Sequence, residues 1–151
     1  MTGFPRRVAW ASSPREAWTV AAAWAALLFT LSSIPGDRYP RVDVRFADKY
    51  VHFLMFVPLG FALARAFSTG TIQGRHTAFS HPVGRTIAAA VATSVYGATD
   101  ELHQTLVPMR SCDVNDWIVD SAAGFAGAVT FASVRGLARV VSAPPPRPID
   151  P

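Results

Sequence analysis

Four long apolar segments alternate with short polar segments along the chain. The apolar segments predict helices at about 17–31, 48–67, 84–107 and 115–134. Each approaches the ~20 residues that are needed to cross a bilayer, and the first and fourth have almost no polar face to present to water. The pattern therefore favours an all-α, polytopic membrane protein, a bundle of four transmembrane helices, over a soluble bundle of very apolar helices.

The first apolar segment has to be distinguished from a secretory signal peptide. It follows several arginines and reads AWTVAAAWAALLFTL. No convincing small-x-small cleavage site comes after it, because the segment ends in Ser32-Ser33-Ile34-Pro35-Gly36. We therefore interpret it as a retained transmembrane helix that ends at this turn. Pro58, inside the second segment, predicts a kink there.

The distribution of basic residues predicts how the helices are oriented. Four crossings place both termini on the same side of the membrane. Nine basic residues lie in the termini and the middle loop, and five lie in the other two loops and the adjoining helix ends. Because cytoplasmic segments carry the excess of Arg and Lys, both termini are predicted to be cytoplasmic.

Composition supports a membrane protein. Half of the 151 residues are hydrophobic, the mean hydropathy is +0.25, and only 16% are charged, below the roughly 25% of soluble domains. The net charge of +4 accompanies no basic stripe, zinc pattern or RNA-binding motif, so we expect no nucleic-acid partner. Cys112 is the only cysteine, which excludes an internal disulfide.

Polar residues concentrate in the stretch 96–127, which lies between apolar segments. Polar groups at this density beside hydrocarbon are costly, so they require one another, water or a ligand. In the predicted topology, eight of the ten acidic residues lie on the outer side: Asp37, Asp43, Asp48, Asp100, Glu101, Asp113, Asp116 and Asp120.

Helical spacing places these polar residues on shared faces. At ~100° per residue, the acids and glycines of the fourth segment fall within an arc of about 80°. On such a face the glycines allow another helix to approach, and the acids point at that same neighbour. The residues on this arc are Asp113, Asp116, Asp120, Gly124 and Gly127. In the third segment Tyr96, Asp100, His103 and Gln104 share an arc of about 100°, with Glu101 further round.

Ordered motifs in these segments resemble those of the VanZ-like family. The resemblance covers roughly residues 30–130, and its motifs follow one another in the family's order. They are Ser33-Ile34-Pro35-Gly36, Asp48-Lys49-x-x-His52, Tyr96-Gly97-x-x-Asp100-Glu101-x-His103-Gln104, Pro108-x-Arg110, Asp116, Asp120 and Gly124-x-x-Gly127. One position departs from the family pattern, because Met109 stands where glycine commonly precedes the arginine.

The resemblance implies a small multi-pass protein of the bacterial cytoplasmic membrane. The family's namesake is associated with resistance to glycopeptide antibiotics of the teicoplanin type, which implies a role in the cell envelope. The chain accordingly divides into a cytoplasmic N-terminal segment (1–16), a VanZ-like four-helix membrane domain (17–134) and a basic, proline-rich cytoplasmic tail (135–151).

The first functional hypothesis is a polar pocket at the outer leaflet that binds an envelope component. Candidate partners are membrane lipids, a lipid-linked cell-wall precursor or a glycopeptide. Lys49 and Arg110 would hold a phosphate or carboxylate, and the acids would orient them. The simpler alternatives are an interfacial anchor for Lys49 and helix-to-helix hydrogen bonds for the other polar groups. The candidate ligand-binding residues are Asp48, Lys49, His52, Tyr96, Asp100, Glu101, Gln104, Arg110, Asp116 and Asp120.

The alternative hypothesis is a membrane-embedded enzyme acting on a lipid-linked or headgroup substrate. Glu101 or Asp120 would be the general base, and His52 or His103 the acid. The sequence lacks a nucleophile arrangement such as Gly-x-Ser-x-Gly. The histidines, with Asp116 and Asp120, have donor types that suit zinc or manganese, but no His-Glu-x-x-His spacing is present. We therefore expect no metal and no cofactor.

Overall fold

Four α-helices make up most of the part of the chain that the computed structural model describes, residues 13–39, 46–69 and 81–142. They are α1 (Pro14–Ser32), α2 (Ala47–Thr69), α3 (Pro82–Gln104) and α4 (Val114–Val141), with a short 3-10 helix at Gly36–Arg38. These residues contain no strand. The predicted all-α class is therefore confirmed.

Local sequence explains where α1 and α4 begin. The Ser13 hydroxyl accepts a hydrogen bond from the Glu16 N–H at 3.2 Å, and the Glu16 carboxylate accepts one from the Ser13 N–H at 3.0 Å. This reciprocal pair is a capping box, with Pro14 at the start of the helix. At α4 the Asp113 carboxylate accepts from the Asn115 N–H at 2.8 Å. Both caps satisfy donors that the first helical turn leaves unpaired.

The end of α3 differs from the sequence prediction. The apolar pattern predicts a helix to Val107, but α3 ends at Gln104. Pro108 explains the difference, because its ring disfavours helical backbone at the preceding residue and it has no N–H to donate. Pro58 has a smaller effect, since α2 continues through it as one helix.

The end of α4 also differs from the prediction. The sequence predicts an end at Val134, whereas α4 continues to Val141, so residues 135–141 of the predicted tail are helical. No proline interrupts this segment, and a helix can extend beyond the hydrocarbon layer into water once its charged residues begin. Residues 1–12 and 143–151, which the domain division assigns to the cytoplasmic ends, lie outside the described residues.

Successive helices run antiparallel, which gathers four helix ends at one end of the bundle. There, Ser32 at the end of α1 donates to Asp100 of α3 at 2.6 Å. At the same end, Glu101 of α3 accepts from the Asp113 N–H at the start of α4 at 2.7 Å. Lys49, near the start of α2, also contacts Asp113. The ends of α1 and α3 therefore meet the beginnings of α2 and α4.

Glycines bring α4 close to both α2 and α3. A Cβ at Gly127 would overlap the Val57 carbonyl of α2, and a Cβ at Gly124 would overlap Thr93 of α3. On α2, a Cβ at Gly60 would overlap the Gly124 backbone. The structure therefore contains the close helix approach that the glycine stripe predicts.

Apolar side chains cover much of the surface of the described helices. α2 and α4 are long and apolar enough to cross a membrane, and they alone among the described helices meet both conditions. Large apolar side chains are exposed on all four helices, for example Phe29, Leu54, Val95 and Ile118. A four-span bundle with both termini cytoplasmic stays a prediction.

Candidate functional site

Charged side chains from α2, α3 and α4 meet inside one end of the bundle. They come from the start of α2, the end of α3 and the start of α4, which the antiparallel arrangement brings to one level. Exposure falls from the rim, where Asp48 is exposed, to the floor, where Asp120 is fully buried. We call this group the polar cluster; its members are Asp48, Lys49, His52, Glu101, Asp113, Asp116 and Asp120.

Lys49 is surrounded by three carboxylates of the polar cluster. Its Nζ lies 2.5 Å from Asp113 Oδ2, 2.7 Å from Asp116 Oδ1 and 3.1 Å from Asp48 Oδ2. The ammonium also holds the pKa of Asp113, which precedes α4, below its ordinary value. The lysine charge is therefore used within the protein, and Lys49 is poorly placed to hold the anion that the sequence analysis assigned to it.

His52 joins two aspartates of α4. Its Nδ1 lies 3.0 Å from Asp120 Oδ1, and its Nε2 lies 3.8 Å from Asp116 Oδ2. Because an ionised carboxylate only accepts, Nδ1 carries a hydrogen and donates it to Asp120. The second oxygen of Asp120 has no hydrogen-bond partner among the described residues. It packs against Gly97, where a Cβ would lie 3.2 Å from that oxygen.

Glu101 fixes the start of α4 to the end of α3. It is buried, and its Oε2 accepts from the Asp113 N–H at 2.7 Å. Its Oε1 accepts from Gln104 Nε2 at 3.3 Å, and the same nitrogen donates to Asp100 at 3.1 Å. The Gln104 carbonyl accepts in turn from Arg110 Nη1 at 3.3 Å. Gln104 therefore links the polar cluster to Asp100 and to Arg110.

Three of the candidate residues on α3 point at α1 instead of the polar cluster. Their contacts are Asp100 Oδ1 with Ser32 Oγ at 2.6 Å, Tyr96 Oη with the Ala25 carbonyl at 2.6 Å, and His103 Nε2 with Ser33 Oγ at 2.9 Å. His103 also stacks on Phe29, with ring centroids 4.3 Å apart. Of the two histidines proposed as an acid, only His52 therefore lies beside Glu101 and Asp120.

Arg110 lies next to the polar cluster without an ion pair to any described residue. Besides Gln104, its guanidinium contacts the Ile34 carbonyl at 3.5 Å and lies 4.5 Å above the centre of the Tyr39 ring. These partners are neutral. No described carboxylate contacts the arginine, which lies partly exposed at the edge of the cluster and has the geometry to bind an anionic group.

The turn before Arg110 explains why glycine is common at position 109 in the family pattern. Met109 has φ of 60°, in the left-handed region that glycine adopts readily. The preceding residue, Pro108, accepts from the Gly36 N–H at 3.0 Å, and a Cβ at Gly36 would overlap the Met109 carbonyl. The two turns are thus packed backbone to backbone, which holds Met109 in its conformation and positions Arg110.

The polar cluster contains more acid than base. Five carboxyl groups, on Asp48, Glu101, Asp113, Asp116 and Asp120, face two basic side chains, Lys49 and His52. Burial makes unbalanced charge expensive. The cluster is therefore complementary to a cationic group, and it lies beside an arginine that is complementary to an anionic one.

The donor types in the polar cluster can also hold a divalent cation. His52, Glu101 and Asp116 each offer a ligand atom within 4.8 Å of the others. The contact of His52 with Asp120 is of the kind that orients metal-binding histidines. Both Glu101 oxygens already accept hydrogen bonds, however, and Asp116 is shared with Lys49. A cation at this site would have to displace or share these contacts.

Several residues of the site were not among the sequence-derived candidates. Asp113 was placed on the α4 stripe but not among the ligand-binding residues; its position before the apolar segment is the signal of a cap. Ser32 and Tyr39 contact Asp100 and Arg110 from the far end of α1 and the following loop. No local pattern reveals those two contacts, since they join parts of the chain distant in sequence.

Comparison with known protein families agrees with the resemblance seen in the motifs. A family model described as VanZ/LLP1 matches residues 9–135, which is most of the chain. No curated protein and no solved structure matches the chain significantly. The matched range contains α1, α2, α3, the whole polar cluster and most of α4. The chain belongs to the VanZ/LLP1 family.

Proposed function

We propose that this protein resides in the bacterial cytoplasmic membrane with four spans and both termini cytoplasmic, and that its polar cluster binds a component of the cell envelope at the outer leaflet. The candidates are a membrane lipid headgroup, a lipid-linked cell-wall precursor and a glycopeptide. Binding there would contribute to resistance against glycopeptides of the teicoplanin type, the property associated with the family's namesake.

The observation that carries the proposal is the acid excess of the polar cluster, in which the buried carboxyl groups of Glu101, Asp116 and Asp120 alone outnumber the two bases. Polar residues that serve only to join helices are expected to balance one another, because each uncompensated buried ion costs several kcal/mol. Here three buried carboxyl groups and two at the exposed rim face two bases, and an oxygen of fully buried Asp120 has no hydrogen-bond partner among the described residues. The imbalance favours a site that a ligand completes.

The charges suggest which groups the ligand carries. Lys49 is already held by three carboxylates, so the acids are better suited to a ligand ammonium than Lys49 is to a ligand phosphate. Arg110 has only neutral partners among its contacts in the described residues, so it is suited to the anion. A component with an amine and a phosphate or carboxylate near each other fits both halves of the site.

The proposal is tested by ligand-dependent thermal stability of the purified protein in phosphatidylcholine nanodiscs. The probes are phosphatidylethanolamine, a polyprenyl-pyrophosphate cell-wall precursor and teicoplanin. A ligand at 100 times its Kd stabilises the folded state by about 2.7 kcal/mol. Glu101→Gln, which keeps shape while removing a charge, should lose this effect, and exposed Asp37→Asn should keep it. Absence of stabilisation by all three probes in the parent protein would refute the binding role.

A cell-based measurement addresses resistance. Expression of the protein in a susceptible bacterium should raise the minimal inhibitory concentration of teicoplanin. The Glu101→Gln variant should lose that increase at an unchanged membrane level, whereas Asp37→Asn should retain it. If all three proteins raise the minimal inhibitory concentration equally, resistance does not depend on the polar cluster.

A second candidate function is catalysis, favoured by the pairing of His52 with Asp120. An aspartate that orients a histidine leaves Nε2 able to exchange a proton with a bound substrate, and Glu101 lies at the same level. The experiment is to incubate the protein with the lipid-linked precursor and follow its products by mass spectrometry. Turnover that disappears in Glu101→Gln while the precursor still binds would establish an enzyme. Binding without turnover would instead support the first function, which is binding of an envelope component.

A further inference from the structure

A second charged site lies at the opposite end of the bundle from the polar cluster. A cavity of about 120 Å³ opens between the end of α2, the start of α3 and the last turns of α4. Three arginines line it, one from α3 and two from α4: Arg85, Arg135 and Arg139. No acidic residue is among the lining residues in the described part of the chain.

The two α4 arginines share a face because they are four residues apart. Arg135 is half-buried, and the positive charges of Arg139 and Arg85 are near enough to repel its own. Like charges held together in this way are stabilised by an anion between them. Ser68 and Thr86 add hydroxyl groups that can donate hydrogen bonds to the same anion.

The size and the remaining lining of the cavity suit a lipid. A cavity of about 150 Å³ admits benzene, with six heavy atoms, and a phosphate group has five. Apolar Phe131 and Pro82 line the wall beside the arginines, so the site offers contact for both a charged headgroup and the glycerol region next to it. Gly136, which is exposed, also lines the cavity.

We infer that this arginine-lined cavity is a binding site for the phosphate of an anionic phospholipid. In the proposed topology, this end of the bundle lies at the inner leaflet, where basic pockets between transmembrane helices bind anionic headgroups. The inference is independent of the polar cluster and goes beyond the proposed function. The lipid would bind at the predicted cytoplasmic end of the bundle, and its binding does not depend on which ligand the polar cluster binds at the opposite end.

The test compares the thermal stability of the purified protein in nanodiscs of phosphatidylcholine alone and of phosphatidylcholine with phosphatidylglycerol. Phosphatidylglycerol should raise the Tm, and inorganic phosphate in solution at matched concentration should not. Loss of a charged hydrogen-bonding partner weakens binding about tenfold or more. The double variant Arg135→Gln, Arg139→Gln should therefore lose most of the shift. Arg15→Gln, which removes an exposed charge at the N-terminus of α1, should retain it.

A second variant tests the cavity while keeping every charge. Gly136→Leu has room to fold, because a Cβ there meets nothing within 4 Å, and it adds bulk at a residue that lines the cavity beside the arginines. It should lose the phosphatidylglycerol shift to the same extent as the double arginine variant. The inference is wrong if the parent shows no shift, if inorganic phosphate reproduces it, or if Gly136→Leu and the double variant respond like the parent. An equal loss in Arg15→Gln would point to general surface charge and would also overturn it.

Discussion

His52 and Asp120 join α2 to α4 through a 3.0 Å contact between the imidazole Nδ1 and a carboxylate with no solvent exposure. The other oxygen of Asp120 packs against Gly97 without a hydrogen-bond partner among the described residues. A buried carboxylate with one unused oxygen is costly for stability. A binding or proton-transfer role would explain why such a carboxylate lies beside four other carboxyl groups.

The first prediction concerns this aspartate. Asp120→Asn keeps the size of the side chain and removes one of the five carboxyl charges, so the variant should fold at least as well as the parent. It should nevertheless lose the ligand-dependent stabilisation proposed above. Asp120→Ala also removes the partner of His52 and should lower the free energy of unfolding by about 1–3 kcal/mol. Thermal unfolding in detergent, with and without ligand, measures both effects; an Asn variant that binds normally would rule out a role for the charge.

The sequence predicts much of this arrangement because its signals are local. Apolar segments identify all four helices, and the spacing of Asp116 and Asp120 places both on the face that meets α2. The ~100° arc on α3 gives less information, because two neighbours share it. One edge, with Asp100, meets α1, whereas Gln104 at the other edge contacts Arg110. Only the packing of the helices separates these two groups.

The roles of the two candidate anion-binding cations also depend on the three-dimensional structure. Sequence position makes Lys49 and Arg110 equivalent, as basic residues near a cluster of acids. The structure surrounds Lys49 with carboxylates and gives Arg110 a carbonyl, an amide and an aromatic ring. Those contacts join residues up to 76 positions apart in the chain, which no local pattern encodes.

The second prediction tests the orientation of the chain in the membrane. Cys112 is exposed beside the polar cluster, on the predicted outer side, and it is the only cysteine. A membrane-impermeant maleimide should therefore label the natural protein in intact spheroplasts or protoplasts, in which the reagent reaches the outer face of the cytoplasmic membrane. The double variant Cys112→Ser, Thr77→Cys, with its cysteine in the predicted cytoplasmic loop, should be labelled only after the membrane is permeabilised. The reverse pattern would invert the topology and place the arginine-lined cavity outside.

The third prediction compares two glycines of α4. A methyl group at Gly127 would overlap the Val57 carbonyl of α2, so Gly127→Ala should destabilise the bundle by about 1–3 kcal/mol through overpacking. Gly136→Ala is the matched control, because the added methyl meets nothing within 4 Å and helix propensity favours alanine by about 1 kcal/mol. The two substitutions should change the Tm in opposite directions. Equal Tm changes would contradict the close packing of α2 on α4.

The fourth prediction concerns Met109, whose φ of 60° is unfavourable for a residue with a side chain. A left-handed conformation costs about 1–2 kcal/mol in residues other than glycine. Met109→Gly removes that cost. Glycine also gives the unfolded chain more conformational freedom, which opposes folding by about 0.4–1 kcal/mol. The variant should therefore be more stable by up to about 1 kcal/mol. Since Met109 is exposed, little packing is lost; a lower Tm for the glycine variant would contradict the strain.

The last prediction separates the charge of Lys49 from its packing by a double-mutant cycle with Asp116. Lys49→Met keeps the length of the side chain but leaves three carboxylates without their common cation. Breaking a buried ion pair costs about 3–5 kcal/mol, and the partial exposure of Lys49 and Asp113 reduces the expected loss to about 1–3 kcal/mol. Asp116→Asn in the same background removes one of the uncompensated charges, so the double variant should recover part of that loss. If the losses of the two single variants simply add in the double variant, Lys49 and Asp116 do not interact energetically. Lys49 then acts as an independent anchor at the membrane interface.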